Sequence, residues 1–174
     1  MNDTLNVVGT VHVLLEKHNV VIHSETIHNL VVSRGREIFA ERMFYCGDTL
    51  YNAPKINSIK VGNDDTAAVL SQTELIGGLT AEKEVYSSSV SSNVLNYSTT
   101  FLDVATDTIA DDVKEIGLFS DTGEMMCRTV LTTPFTKTED ELLTVYWQIT
   151  IGKITHEYNN YTQWKRITTI QQRN

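Results

Sequence analysis

Leu142-Leu143-Thr144-Val145-Tyr146-Trp147-Gln148-Ile149-Thr150-Ile151 decides the fold class. Leu143, Val145, Trp147 and Ile149 alternate with Thr144, Tyr146, Gln148 and Thr150, the period of two seen in a strand with one face in a core. Trp147 therefore points inward, and Tyr146 points the other way toward exposure.

The same grammar extends backward. Residues 114–119 and 125–131 flank Ser120-Asp121-Thr122-Gly123, a hairpin turn because glycine accepts positive φ at no steric cost. Stretches 84–92 and 95–104 read as strands separated by Asn93, and 106–112 as a polar link. Pro134 and the charged residues 137–141 read as a loop. Upstream, 56–61 alternates, Gly62-Asn63-Asp64-Asp65 breaks it, 66–75 reads as either a loop or a short helical turn, and Gly77-Gly78 breaks the chain again.

The opening is a hairpin. Residues 7–15 alternate, Glu16-Lys17-His18-Asn19 turn the chain, and 20–23 return, with 27–32 extended. Ser33 then reads as a helix N-cap, although Arg36 stands where a capping box needs Glu or Gln. Ile38, Phe39 and Met43 supply an apolar helical face and Gly47 a stop. The expectation is a mostly β chain: an antiparallel β-sandwich, jelly-roll-like, with one helix near 33–45. Residues 1–152 form its domain, and 153–174 form a C-terminal arm or a final strand over 164–170.

Composition narrows the function classes. The chain has 174 residues, 41% hydrophobic and 21% charged, enough apolar content for a core and too little charge for a disordered chain. A net charge of -8 with no basic block argues against nucleic acid as a partner. Met1-Asn2-Asp3-Thr4 is polar and acidic where a signal needs a cationic start, and no apolar run is long enough to span a bilayer. Synthesis in the cytoplasm without a membrane partner is expected, with Cys46 and Cys127 as reduced, partly buried thiols.

Reactive constellations are missing. His12, His18, His23, His28 and His156 show no metal-ligand spacing, although His23 and His28 could meet in space. There is no nucleophile elbow and no phosphate-binding glycine loop. Asp64, Asp65, Asp107, Asp111 and Asp112 sit in segments read as loops, where oxygen clusters sometimes hold calcium, but solvated acidic turns are the commoner outcome. No catalytic, metal or cofactor residue is assigned. Tyr158, Tyr161 and Trp164 fall in the irregular tail. Amphipathic rings there suit a protein interface or tuck back onto their own domain.

Three segments carry a resemblance. They are Val61-Gly62-Asn63-Asp64-Asp65-Thr66 running on to Leu75, then Glu115-Ile116-Gly117-Leu118-Phe119 with Gly123-Glu124-Met125-Met126-Cys127-Arg128-Thr129-Val130, and finally 142–150. Their order, across residues 59–151, resembles small β-sandwich structural proteins of tailed bacteriophages, labelled head decoration, head fibre, neck or tail fibre proteins. The chain departs from that pattern in lacking a Pro-rich turn before the Asp-Thr element and in carrying Cys127 where a small residue is common. The resemblance implies a virion component, made in the host cytoplasm, that binds capsid, neck or tail proteins and forms a homo-oligomer. A receptor-binding, carbohydrate-recognising module of a tail fibre is the alternative it implies. On the hairpin, Gly117 would let a neighbour approach closely, and Arg128 would pair with Glu115 or Asp121.

Overall fold

A computed structural model describes residues 6–45 and 52–152. Cys46, Gly47, His156, Tyr158, Tyr161, Trp164 and the whole 153–174 segment lie outside the described residues. The elements are β1 (Val7–Lys17), β2 (Val20–Val31), α1 (Ser33–Phe44), β3 (Ile56–Gly62), β4 (Ala81–Glu84), β5 (Ser87–Ser91), β6 (Val94–Phe101), β7 (Ile109–Ser120), β8 (Met125–Lys137) and β9 (Glu141–Ile151). The chain is mostly β with one helix, as the alternation predicts. Every strand pairing is antiparallel.

The strands form one curled nine-stranded sheet in the order β4-β3-β7-β8-β2-β1-β9-β6-β5. Its two halves meet at a thin seam, where β2 pairs with β8 only through Leu30↔Arg128 and Val31↔Cys127. Further along that seam the Glu25 carboxylate accepts the Thr132 and Thr133 N–H groups at 2.8 and 3.4 Å. A side chain thus takes the place of a ladder. Curling brings the concave faces of both halves into one core, in which Val11, Val13, Val145 and Trp147 of one half pack with Ile59, Val61, Ile116 and Leu118 of the other. Burying a side chain of this size is worth roughly 1.5–3 kcal/mol.

The curl also brings the two sheet edges together. β4 and β5 stand at opposite ends of the strand order yet are separated in sequence only by Val85 and Tyr86. Val85 N–H donates to Asn57 O at 2.7 Å on the β3 side, and Tyr86 N–H donates to Ser98 O at 2.9 Å on the β6 side. One extended stretch therefore has a different half of the sheet on each side.

β7 and β8 are covered on both faces. Residues 115–120 and 125–129 are all buried, since the core lies on one side and α1 with the 63–79 loop on the other. Gly35 of α1 lies directly on β8, where a Cβ would come within 2.1 Å of the Met126 carbonyl oxygen. At Gly117 a Cβ would meet Leu75 of the loop at 3.0 Å, which fulfils the expected close approach.

Beneath that loop lies a buried ion pair. Arg128 Nε donates to Glu115 Oε2 at 2.6 Å with both side chains fully buried. Arg128 Nη1 reaches Thr66 O at 2.8 Å, and Glu115 accepts the Ile76 and Gly77 N–H groups at 3.2 and 2.7 Å. The pair thus ties both ends of the loop to the sheet. Asp121, the other partner considered for Arg128, instead accepts the Lys55 N–H at 2.9 Å.

Several local readings are corrected. α1 begins at Ser33 itself. Val32 is the extended N-cap, and with no polar side chain it caps nothing, while the Ser33 N–H donates to Leu70 O at 2.8 Å. Met43 is 69% exposed while Ile38 is buried, so the apolar face is narrower than read. The stretch 84–92 divides between β4 and β5. Asp111 and Asp112 lie within β7, and Pro134 and Lys137 within β8. Pro134 is tolerated because it stands where the β7–β8 register shifts, beside the seam.

Arg128→Met should strip Glu115 of its counter-charge inside the protein and cost roughly 3–5 kcal/mol in urea unfolding. The double change Glu115→Leu with Arg128→Met should recover much of that loss.

Candidate functional site

A concavity opens on the outward side of β9 and β6 and has a volume of about 960 Å³. Strand alternation builds it. While Leu143, Val145 and Trp147 enter the core, Leu142, Thr144 and Tyr146 line the cleft. Likewise Ser98 and Thr100 of β6 contribute hydroxyls. The β4–β5 crossing supplies Glu84 and Tyr86, and the β1–β2 hairpin supplies Glu16 and Asn19. That hairpin turns at His18 and Asn19, both with positive φ (50° and 64°), the geometry that matches the twist of paired strands.

Tyr146 stands on the face opposite Trp147, as the alternation predicts, but it is only 9% exposed. Its ring stacks with His12 at a centroid distance of 6.1 Å. Burial, then the Glu16 carboxylate, pushes its phenol pKa upward. The openly presented ring is Tyr86, 81% exposed. Sequence pattern passes over Tyr86 because it sits at the junction between two strands, where alternation carries no information.

The charge at the cleft is unbalanced. Its one lysine, Lys83, is engaged by Asp107 at 2.7 Å, which leaves the carboxylates of Glu16 and Glu84 as the charges facing the opening. Burial alone would push the Asp107 carboxyl up. The Lys83 ammonium, the Leu102 N–H at 2.8 Å and nearby Lys137 outweigh it and hold the carboxyl below its ordinary 3.8. Lys137, fully buried, donates to Leu102 O at 2.6 Å, and burial lowers its pKa.

The remaining candidates fall apart spatially. His23 and His28 project from opposite faces of β2, the former half-buried and the latter exposed; His23 lies against Phe135 at 4.8 Å and 3.7 Å from Glu25. Asp64 accepts the Thr66 N–H at 2.7 Å and lies 3.9 Å from Arg128. Among the described residues no three His, Cys, Asp or Glu side chains gather as a metal site. Cys127 is wholly buried, and burial pushes its thiol far up, with the nearby Asn29 side chain only partly opposing that rise. That is the setting of an inert core thiol, not a nucleophile. No helix among the described residues is long and apolar enough to cross a membrane.

Comparison with protein-family models, curated proteins and solved structures finds no match for this chain.

The Asp107 cluster makes a pH prediction. A carboxyl held below its ordinary value contributes stability above that value and loses it as the pH falls through the depressed one. Unfolding free energy should therefore decline on acidification below pH 3.8, and Asp107→Asn should flatten that part of the curve measured by urea titration.

Proposed function

We propose that this chain is a structural subunit of a tailed-phage virion, assembling with capsid, neck or tail proteins and with copies of itself, without catalysing a reaction. The observation that carries the reading is the open edge of β5. Ser87–Ser91 is exposed along its whole length, uncharged, and flanked by Tyr86, with Val90 70% exposed. A strand edge lacking charge, proline or a covering element is a ready template for another chain, and added strands are a recurrent mode of recognition. The order of segments that resembles phage structural proteins supports capsid, neck or tail proteins as the partners.

The N-terminal strand is not free to act as an arm, since β1 is paired along both sides, with β2 and β9. The tail, with Tyr158, Tyr161 and Trp164, is the contact element of this reading. For the finer architecture we read the two halves of the curled sheet as the layers of a jelly-roll-like sandwich, supported by their common core.

A second reading, a carbohydrate-binding module, is favoured by the cleft itself, where the exposed Tyr86 ring stands near the Ser98 and Thr144 hydroxyls. Glycan-array binding that is lost in Tyr86→Ala would promote it.

Light scattering of the full chain and of a chain ending at Gly152 tests the main reading. A discrete oligomer should form and dissociate on truncation. A full chain that stays monomeric at all concentrations would overturn self-assembly.

A further inference from the structure

We infer that the outer cleft is a socket for the tail of a neighbouring copy, filled by the segment Trp164-Lys165-Arg166. The inference rests on the assembling role proposed above and names the contact that makes it.

Charge is the first argument. Of the chain's 14 basic and 22 acidic residues, four basic (Lys153, Lys165, Arg166, Arg173) and one acidic (Glu157) fall within 153–174. The tail therefore carries +3 and the rest of the chain -11. At the cleft this excess is local, because Lys83 is neutralised by Asp107 while Glu16 and Glu84 face the opening. A Lys-Arg pair entering there meets two carboxylates with no competing cation, and a guanidinium matches a carboxylate in two parallel hydrogen bonds.

The chemistry of the lining is the second. Tyr86 presents its ring to solvent, and Tyr146 and Leu142 add apolar surface. An indole and a basic side chain both gain from such rings, by edge or face contact and by cation–π attraction. The hydroxyls of Ser98 and Thr144 are suited to accept or donate to an extended backbone.

The positions of root and socket suit a neighbour, the occupant that the assembling role calls for. The tail leaves from Gly152, beyond the end of β9 where Ile151 pairs with Asn93. The cleft takes its β9 residues, Leu142, Thr144 and Tyr146, from the opposite half of that strand. An arm at one end and a socket toward the other is the arrangement of a head-to-tail contact, which closes into a ring or continues as a stack. About 12 residues separate Gly152 from Trp164, an extended reach of roughly 40 Å, enough to span onto an adjoining subunit.

The test uses light scattering and tryptophan quenching on full-length variants. Glu16→Lys with Glu84→Lys disables the socket; Trp164→Ala with Lys165→Glu and Arg166→Glu disables the arm. Each alone should be monomeric and still unfold in a single cooperative transition, at a lower temperature than the assembled parent. Mixed in equal amounts they should form a one-to-one heterodimer and nothing larger, because only one intact arm meets one intact socket. Combining both sets of charge changes with Trp164 kept should restore the oligomer. If the socket variant keeps the parent oligomer while truncation at Gly152 removes it, the arm binds elsewhere and the inference fails while the assembling role stands. If the parent is monomeric, self-assembly fails. A Trp164 then shielded from acrylamide at every dilution, and released by the socket changes, would place the tail in its own cleft and overturn the neighbour as occupant.

Discussion

The stretch from Ala81 to Ser91 is the constraint on which the rest of the structure depends. A nine-stranded antiparallel sheet has two edges, and here both belong to the same short run of chain, joined through Val85 and Tyr86. Because consecutive N–H groups of an extended chain point to opposite sides, Val85 and Tyr86 can bond to opposite halves of the sheet without a loop between them. Thr99 Oγ1 fixes the crossing by donating to Glu84 O at 2.6 Å. The sheet must therefore curl until its ends meet. The curl creates the shared core and the outer cleft beside the crossing, and leaves the outer edge of β5 exposed among the described residues.

A second layer follows from the same curl. With the concave side filled, the convex side of β7 and β8 still carries apolar residues such as Phe119 and Met125, which pack with Val32 and Leu75. A loop as long as 63–79 is usually either functional or held down, and the Arg128–Glu115 pair holds this one. Removal from water is costly for both ions, and the loop offsets part of that cost: Thr66 O and Gln72 Oε1 accept from Arg128 Nη1, and the Ile76 and Gly77 N–H groups donate to Glu115, while Arg128 Nη2 lacks a hydrogen-bond partner and lies 3.9 Å from Asp64. The loop and the pair consequently depend on each other: the loop excludes water from the ions, and the ions hold the loop in place.

Strands were legible wherever one face is buried and the other wet. β9 and β1 read correctly from alternation alone, down to the opposed directions of Trp147 and Tyr146. The hairpin at Gly123, with φ of 82°, was legible from turn chemistry. Legibility failed where tertiary packing set the outcome. The continuous apolar runs at Ile116 to Phe119 and Met125 to Cys127 signal strands covered on both faces, but nothing local says that a loop and a helix supply the cover. Asp111, Asp112 and Lys137 look like loop residues by polarity. They sit in strands because Ile109 and Val113 of β7 and Leu131 and Phe135 of β8 anchor this stretch in the core, and Lys137 is buried with backbone oxygens for partners. The cleft was only half legible. Tyr146 could be placed on the outward face, but the participation of Glu16, Glu84 and Tyr86 depends on a crossing that brings residues far apart in sequence together.

The pairing of β1 with β9 sets the order in which the molecule can be made. Val7 lies opposite Ile151 and Lys17 opposite Glu141, so an interior strand of the sheet is synthesised well before its partner, with β2 to β8 made in between. Until β9 has left the ribosome, β1 can pair only with β2 and exposes its other edge together with Val11, Val13 and Leu15. Contacts of such sequence separation form slowly, because the loop they close must be ordered first. Through the synthesis of β2 to β8 the nascent chain therefore carries an unsatisfied strand edge, the kind of surface that pairs with a wrong chain.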